Sequence, residues 1–209
     1  MSQLATVGPQ GLAANPFSFD TYTITRKFFT FLGRDFQVLD PSGNLCMYVR
    51  HKMLTFKDEW NIATDQSMSV PLVRVKAREA IAVNITTDIF DAYEGAVVGT
   101  VRSKGLKSII SDTWEVLDQA GNVVGELKED SNGFLRRLLP TFFTMPLILG
   151  RWHLSVNGET VMAIHEQRTF FVKTFTTTIT SPGVDRRFAL GCALLALMKE
   201  ITREQRTSD

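Results

Sequence analysis

Three cations alternate with small apolar residues along one short segment of the chain. In the sequence LVRVKAR, Arg74, Lys76 and Arg78 are separated by Val75 and Ala77. Successive side chains of a β-strand point to opposite faces, so a strand here places the cations on one face and the apolar residues toward the core. Because three like charges in a row repel each other, the pattern favours a site for an anionic group such as a phosphate.

A second basic cluster follows in RSKGLKS, where Arg102, Lys104 and Lys107 are interspersed with serine and glycine. A flexible loop of this composition offers cationic and hydroxyl donors to a phosphate. Arg136 and Arg137 form a third basic pair. The alternative interpretation is that these cations lie on solvated faces of a sheet, with acidic neighbours across the strands. The sequence leaves both interpretations open.

Metal sites are disfavoured by the spacing of the residues that would build them. His51, His153 and His165 lie in separate predicted strands, without the spacing of zinc ligands. The segment that begins at Asp40 mimics the start of a calcium loop, but Leu45 stands where that loop needs glycine and His51 where it needs glutamate. We interpret that segment as a hairpin turn and expect neither a metal nor another cofactor.

Neither the cysteines nor any catalytic motif points to an enzyme. Cys192 lies within an apolar segment, where a thiol is inert, and Cys46 lies in a predicted strand, so the two form no disulfide framework. No nucleophile elbow, phosphate-binding loop or dinucleotide fingerprint occurs. We therefore expect a non-enzymatic protein. The first residues lack the basic and apolar regions of a secretion signal, which favours a cytoplasmic location.

Composition indicates one folded domain. The chain has 209 residues, of which 44% are hydrophobic, and 15 phenylalanines supply material for a core. A net charge of +1 gives no argument for a nucleic-acid partner, so any anion site has to be a local cluster. We predict a flexible N-terminal tail over residues 1–18, a single barrel domain over 19–204 and a short tail over 205–209.

A hairpin pattern recurs along the chain. FQVLDPSGNLCMYV begins at Phe36 and WEVLDQAGNVVGEL at Trp114, and WHLSVNGETVMAI from Trp152 follows the pattern more loosely. Each has an aromatic residue, a strand, a turn with glycine beside asparagine, and a second strand. The first two copies start 78 residues apart. They are explained either by two related halves of one sheet or by convergence on the same turn chemistry.

Most of the remaining chain is also predicted to be β-structure. A turn is predicted at 93–95, and EDSNGFLRRLL from Glu129 to Leu139 is predicted to form a short helix that ends before Pro140. Strands resume near Thr141. Further strands are predicted over 22–31, 52–56, 70–78, 80–90, 96–102 and 169–180.

The last predicted helix runs from Asp185 to about Arg203. From Phe188 to Met198 every residue is apolar or glycine, which indicates a helix that is buried on all sides. Eleven residues span about 16 Å, roughly half of a bilayer core, so a transmembrane helix is disfavoured. The sheet that hides such a helix most simply is a closed barrel. We predict a mainly β fold, an antiparallel barrel of about twelve strands around this helix.

These segments together resemble one family. YTITRKFF, the two VLDxxGN hairpins, RSKGLKSIISDTWEVLD and VDRRFALGCALLALMKE resemble the LURP-one-related proteins, which belong with tubby C-terminal domains and phospholipid scramblases, and the chain looks like a small bacterial-type member. The resemblance covers about residues 20–203 and implies a twelve-stranded barrel around a hydrophobic C-terminal helix. It also implies binding of phosphoinositides or other lipids as a function to consider.

The resemblance does not extend to calcium. Scramblases have an acidic calcium segment before the terminal helix, whereas the corresponding residues 175–184, FTTTITSPGV, contain no carboxylate. Calcium needs several oxygen ligands, usually including Asp or Glu, so we do not expect this chain to bind it.

Two functions remain. The first is a module that binds anionic lipid head groups or phosphorylated ligands, peripheral to the inner membrane face, through Arg74, Lys76, Arg78, Arg102, Lys104 and Lys107. The second is an interaction barrel that presents its loops to a protein partner, in which case the basic strand serves solubility. The motifs specify the fold more strongly than the activity, because one fold hosts several functions.

Overall fold

The computed structural model describes residues 15–26, 35–52, 59–78, 84–104, 113–130, 149–167, 169 and 172–207. These residues form twelve strands and one helix, α1 (Arg186–Thr207). The strands are β1 (Thr21–Arg26), β2 (Asp35–Leu39), β3 (Leu45–Lys52), β4 (Glu59–Ala63), β5 (Pro71–Ala77), β6 (Thr86–Asp91), β7 (Val97–Ser103), β8 (Thr113–Leu117), β9 (Val123–Glu129), β10 (Arg151–Val156), β11 (Glu159–Glu166) and β12 (Thr174–Ile179).

The strands close into an antiparallel barrel. Each pairs with its neighbours in chain order, and β1 pairs with both β2 and β12, so no edge is left open. Closure satisfies the backbone groups that an edge strand would expose. The predicted fold class, a closed antiparallel barrel of about twelve strands with a C-terminal helix, is confirmed.

Two local predictions differ from the structure. Strand β4 was not predicted, because its five residues are too short for the alternation of Trp60 and Ile62 to stand out. Lys52 is the last residue of β3, and the rest of the strand predicted over 52–56 lies outside the described residues. Likewise Glu129 ends β9 instead of starting a helix, and residues 131–139 lie outside the described residues.

Helix α1 fills the barrel. It contacts β5, β6 and β7 on one side and β10 and β12 on the other, and β6 lies opposite β12 in the ring of strands. Its central residues are buried, among them Ala189, Cys192, Ala193, Ala196 and Leu197. The prediction of a helix surrounded by strands is therefore confirmed.

Two glycines allow the helix to fit. A Cβ on Gly191 of the helix would lie 2.8 Å from the side chain of Ile89, and a Cβ on Gly99 of β7 would lie 2.1 Å from the ring of Phe188. Both distances are shorter than carbon atoms tolerate, so glycine at each position lets helix and wall approach closely.

The start of α1 is fixed to the rim by ion pairs. Asp185 caps the helix by accepting a hydrogen bond from the Arg187 backbone N–H at 2.8 Å. The guanidinium of Arg187 contacts Asp185 and Asp91, and that of Arg186 lies 2.5 Å from Asp20. The helix is thereby joined to the last residue of β6 and to the segment before β1.

The first two hairpin copies have the same type of turn. Asp40 Oδ1 accepts from the Asn44 backbone N–H at 2.9 Å, and Asp118 Oδ1 accepts from that of Asn122 at 2.8 Å. The β2–β3 and β8–β9 hairpins also lie opposite each other in the ring. The third copy turns differently, through Asn157 and Gly158 at φ 51° and 83°. That the first two copies belong to two related halves of one sheet remains a prediction, and it does not include the third copy.

The up-and-down order gives the barrel two different ends. We call the end where α1 begins the turn end; it is formed by residues 15–20, 40–44, 64–70, 92–96, 118–122, 157–158 and 180–185. We call the opposite end the loop end; there the strands are joined by 27–34, 53–58, 78–85, 104–112, 130–150 and 167–173. The predicted turn at 93–95 belongs to the turn end and is confirmed.

We predict that a chain ending at Val184 does not fold. Removal of α1 empties the barrel, whereas a single buried Leu→Ala change already costs about 2–5 kcal/mol. Circular dichroism and thermal melting should show no cooperative transition for this truncation. A chain ending at Thr207, which keeps the whole helix, should melt like the full chain, and a soluble barrel that melts cooperatively without α1 would contradict the prediction.

We also predict that Asp91 stabilises the fold in a pH-dependent way. Burial raises the pKa of this carboxyl, but hydrogen bonds from the Glu94 backbone, from Arg187 and from the Tyr93 backbone outweigh it and hold the pKa below its usual range. A carboxyl whose pKa is lower in the folded state than in the unfolded state stabilises the fold at pH values above its unfolded pKa of about 3.9. This contribution is lost as the pH falls through the lower pKa of the folded state.

Asp91→Asn should therefore lower the free energy of unfolding by roughly 1–2 kcal/mol at neutral pH. The difference from wild type should shrink as the pH falls below about 3.9. Urea melts at pH 7 and at pH 3 measure this. Glu94→Gln removes an equal charge from an exposed neighbour and should have little effect; a pH-independent difference for Asp91→Asn would show that charge is not the cause.

Candidate functional site: the basic outer wall and the two barrel ends

The basic strand is β5, and its alternation is as predicted. Val73, Val75 and Ala77 are buried against the core, while Arg74 and Lys76 point outward between β4 and β6. Arg78 follows directly after the strand, toward the loop end. The structure thus places the three cations along the outer wall.

Two of these cations face carboxylates on neighbouring strands. Lys76 Nζ lies 3.8 Å from Glu59 Oε2 on β4. Arg78 donates through Nε and Nη2 to the two oxygens of Asp88 on β6, at 2.7 and 2.8 Å. Burial raises the pKa of Asp88, but Arg78 and the Thr100 hydroxyl hold it below its usual range. Asp88 therefore stays ionised, and the wall here is close to neutral.

Arg74 differs from the other two. Its guanidinium lies over the ring of Phe90, 5.0 Å from the ring centre. Its neighbours across the strands are Asn61 and Phe90, and within the described part of the chain no carboxylate lies at salt-bridge distance. Arg74 is therefore a cation whose charge a ligand could neutralise.

The second cluster is paired in the same way. Arg102 donates to Glu115 Oε2 of β8 through Nε at 3.0 Å and Nη2 at 2.6 Å. Lys104 lies 3.7 Å from Glu115 and 3.9 Å from Glu126. Lys107 lies outside the described residues, as do Arg136 and Arg137.

The structure brings the two clusters together across β6. Arg78 donates its backbone N–H to Thr86, and Thr86 pairs with Arg102 in the next strand. Arg78 and Arg102 therefore flank Thr86 in one row near the loop end. Sequence reasoning did not identify the partners Glu59, Asp88 and Glu115, because finding them requires the register between strands.

The two ends of the barrel differ in charge. The turn-end segments contain no lysine, arginine or histidine, but six carboxylates: Asp20, Asp40, Asp65, Glu94, Asp118 and Asp185. The loop-end connections contain four carboxylates, Asp58, Glu79, Asp112 and Asp130. Against these stand ten cations, Lys27, Arg34, Lys57, Arg78, Lys104, Lys107, Arg136, Arg137, Arg168 and Lys173. Since the strand order fixes which connection belongs to which end, the connections at one end are acidic in sequence and those at the other end are basic. Of the ten cations, Arg78, Lys104 and Lys173 are among the described residues, and each contacts a carboxylate.

The remaining candidates have structural roles. His51 stacks on Trp60 with ring centres 3.8 Å apart, and His153 Nδ1 lies 2.8 Å from Asp130. Burial raises the pKa of the Cys192 thiol, so it stays protonated inside the barrel. Among the described residues no group of His, Cys, Asp and Glu is arranged to hold a metal ion.

Comparison with known proteins identifies the family. A family model described as LURP-one-related matches residues 45–196, from β3 into α1. The chain belongs to the LURP-one-related family. Neither a search of curated proteins nor a search of solved structures gave a match. The matched region of this LURP-one-related chain includes β5, β6 and β7, and therefore the paired wall described above.

Among the described helices of this LURP-one-related chain, none has both the length and the apolar composition needed to cross a bilayer.

Two threonine hydroxyls of the barrel allow a test of how much a buried hydrogen bond contributes to stability. Thr100 on β7 donates to Asp88 Oδ1 at 2.7 Å, whereas Thr177 on β12 is buried and its Oγ1 has no hydrogen-bond partner among the described residues. We predict that Thr100→Val lowers the free energy of unfolding by about 1–3 kcal/mol, because it removes a buried hydrogen bond to a charged carboxylate, whose Oδ1 then keeps only the bond from Arg78. The matched change Thr177→Val should leave stability equal or higher. Equal losses in thermal melts would contradict this.

Proposed function

We propose that this chain is a non-enzymatic binding module that reads anionic lipid head groups, and that it contacts the membrane peripherally through its loop end. The feature that supports this most is the difference in charge, read from the sequence, between the connections at the two ends of the barrel. Since α1 fills the interior, a ligand has to be bound on the outside, and the ends differ more in chemistry than the paired wall does.

The composition of the loop-end connections suits a bilayer interface. Their ten cations can approach anionic head groups, with each Lys or Arg near such a surface contributing about 1 kcal/mol. The same connections contain nine of the 15 phenylalanines, including the adjacent pairs 28–29, 142–143 and 170–171. Aromatic side chains are enriched where proteins meet membranes, because their apolar rings bury area at the interface.

The turn end supports the same orientation by repulsion. Two of its six carboxylates, Asp20 and Asp185, are paired with Arg186 and Arg187, and the other four would be pushed away from an anionic surface, while the basic loop-end connections are attracted. A barrel with this charge distribution would orient with its loop end toward the bilayer. Location at the inner face of a cytoplasmic membrane belongs to this proposal.

The paired wall contributes less to this proposal than the sequence suggested. A phosphate that approaches Arg78 or Arg102 has to compete with Asp88 or Glu115, which already accept their hydrogen bonds. Of the six cations assigned to the head-group site, Arg78, Lys104 and Lys107 belong to loop-end connections, but Arg78 is held closely by Asp88, whereas the nearest carboxylate to Lys104 among the described residues lies 3.7 Å away. Arg74 has no carboxylate partner in the described part of the chain. We expect Arg74, Lys104 and Lys107 to contribute more than Lys76.

The second candidate is a protein-interaction barrel without a lipid ligand. It is favoured by the wall itself, where Glu59, Lys76, Asp88 and Arg78 form alternating pairs with little net charge. Such a surface is typical of the polar rim of a protein interface.

Co-sedimentation with liposomes distinguishes the two candidates. Neutral vesicles of phosphatidylcholine are compared with vesicles that also contain phosphatidylserine or a phosphoinositide, at low and moderate salt. We expect salt-sensitive binding to the anionic vesicles alone. The variant Lys104→Gln/Lys107→Gln should bind them about 30-fold more weakly, since two cations at about 1 kcal/mol each are lost.

The matched control is Arg74→Gln/Lys76→Gln, which removes two charges from the wall. It should weaken binding less than the loop-end variant, provided that both melt like wild type. Absence of binding to every vesicle would overturn the lipid function and leave the protein-interaction barrel. An equal or larger effect of the wall variant would overturn the loop-end orientation.

A further inference from the structure

The turn end has an exposed apolar surface. Among the described residues the exposed large hydrophobic side chains are Leu45, Tyr93, Val97 and Val123, at 45%, 83%, 49% and 52% of their full exposure. All four lie in or directly after a turn-end connection. Three of them, Tyr93, Val97 and Val123, lie on neighbouring hairpins, whereas Leu45 lies apart on the β2–β3 hairpin; scattered single exposures would be ordinary, but three that adjoin form a patch.

These residues form outward pairs on neighbouring hairpins. Val97 faces Phe90 across the β6–β7 hairpin, and Val123 faces Leu117 across the β8–β9 hairpin. Because β7 pairs with β8, the two hairpins are adjacent in the wall. Tyr93, at the tip of the first hairpin, extends this surface. We call these five residues the apolar rim.

The net charge around the apolar rim is negative. Glu94 follows Tyr93, and Asp118 follows Leu117. Hydrogen bonds from Asn122, first from its side chain and then from its backbone, hold the pKa of Asp118 below its usual range. The nearby cations Arg186 and Arg187 contact Asp20, Asp185 and Asp91. Arg74 lies over the ring of Phe90 at one side of the rim, so the two carboxylates Glu94 and Asp118 stand against one cation and the net charge of the rim is negative.

The two turns of the rim are held by hydrogen bonds. Asp91 Oδ1 accepts from the backbone N–H groups of Tyr93 and Glu94, both at 2.8 Å, and Asp118 holds its own turn in the same manner. A surface that is already ordered loses little conformational entropy when a partner binds.

We propose that the apolar rim docks a basic segment of a partner protein, one in which lysine or arginine alternates with apolar side chains. The apolar residues of the segment would bury Tyr93, Val97 and Val123, and its cations would lie beside Glu94 and Asp118. Charge complementarity selects this occupant, because an acidic peptide or an anionic membrane is repelled from the same surface. The inference is independent of the lipid proposal, since it concerns the opposite end of the barrel.

The test measures binding of a fluorescein-labelled peptide of alternating lysine and leucine by fluorescence anisotropy, with an alternating glutamate and leucine peptide for comparison. We expect the full chain to bind the lysine peptide alone, more weakly at higher salt. Tyr93→Ala should weaken binding about five- to tenfold, as loss of an interface anchor does. Glu94→Lys should weaken it by a similar factor.

Glu126→Lys is the matched control, because it makes the same charge change on the barrel wall beside Lys104. It should leave affinity within about twofold of wild type, which differs by less than 0.5 kcal/mol. Nuclear magnetic resonance should place the peptide-induced shifts in residues 90–97 and 117–123. Equal weakening by Glu126→Lys, shifts elsewhere, or absence of binding would each overturn the proposal. None of these results depends on whether the loop end binds lipid.

Discussion

The contact between α1 and the inside of the barrel is the constraint on which the rest of this structure depends. Gly191 against Ile89 and Gly99 against Phe188 set how closely the helix and the wall approach. A wider helix would not fit, and a smaller one would leave unfilled space that a close-packed interior does not tolerate. The circumference of twelve strands and the width of the helix therefore determine each other.

This packing also determines where function can be. Many barrels hold a ligand in their lumen, but here the lumen is occupied by the chain's own side chains, such as Ala193 and Leu197. A ligand or a partner can therefore bind only on the outer wall or at the two ends of the barrel. On the wall, Arg78 and Arg102 are matched by Asp88 and Glu115, while Arg74 has no carboxylate partner in the described part of the chain.

The sequence predicts this fold well because its strongest signals are local. The apolar run from Phe188 to Met198 indicates a buried helix, and the turn residues of the hairpins at Asp40 and Asp118 need no knowledge of distant contacts. The wall is harder to predict. Alternation places Arg78 on the outer face, but only the register between β5 and β6 sets it beside Asp88. Predicting which connections lie at which end of the barrel likewise requires the order of all strands.

The position of α1 in the chain has a consequence for how the protein folds. The helix follows every strand in sequence, and the pairing that closes the barrel joins Thr25 to Thr174, 149 residues apart. Contacts of such high sequence separation form slowly, because a long loop has to be closed first. During synthesis, the inner faces of all twelve strands are complete before the helix that covers them exists. Until its last helix has been synthesised, a nascent chain of this kind exposes apolar surface that is prone to aggregation, which is the situation in which chaperones act.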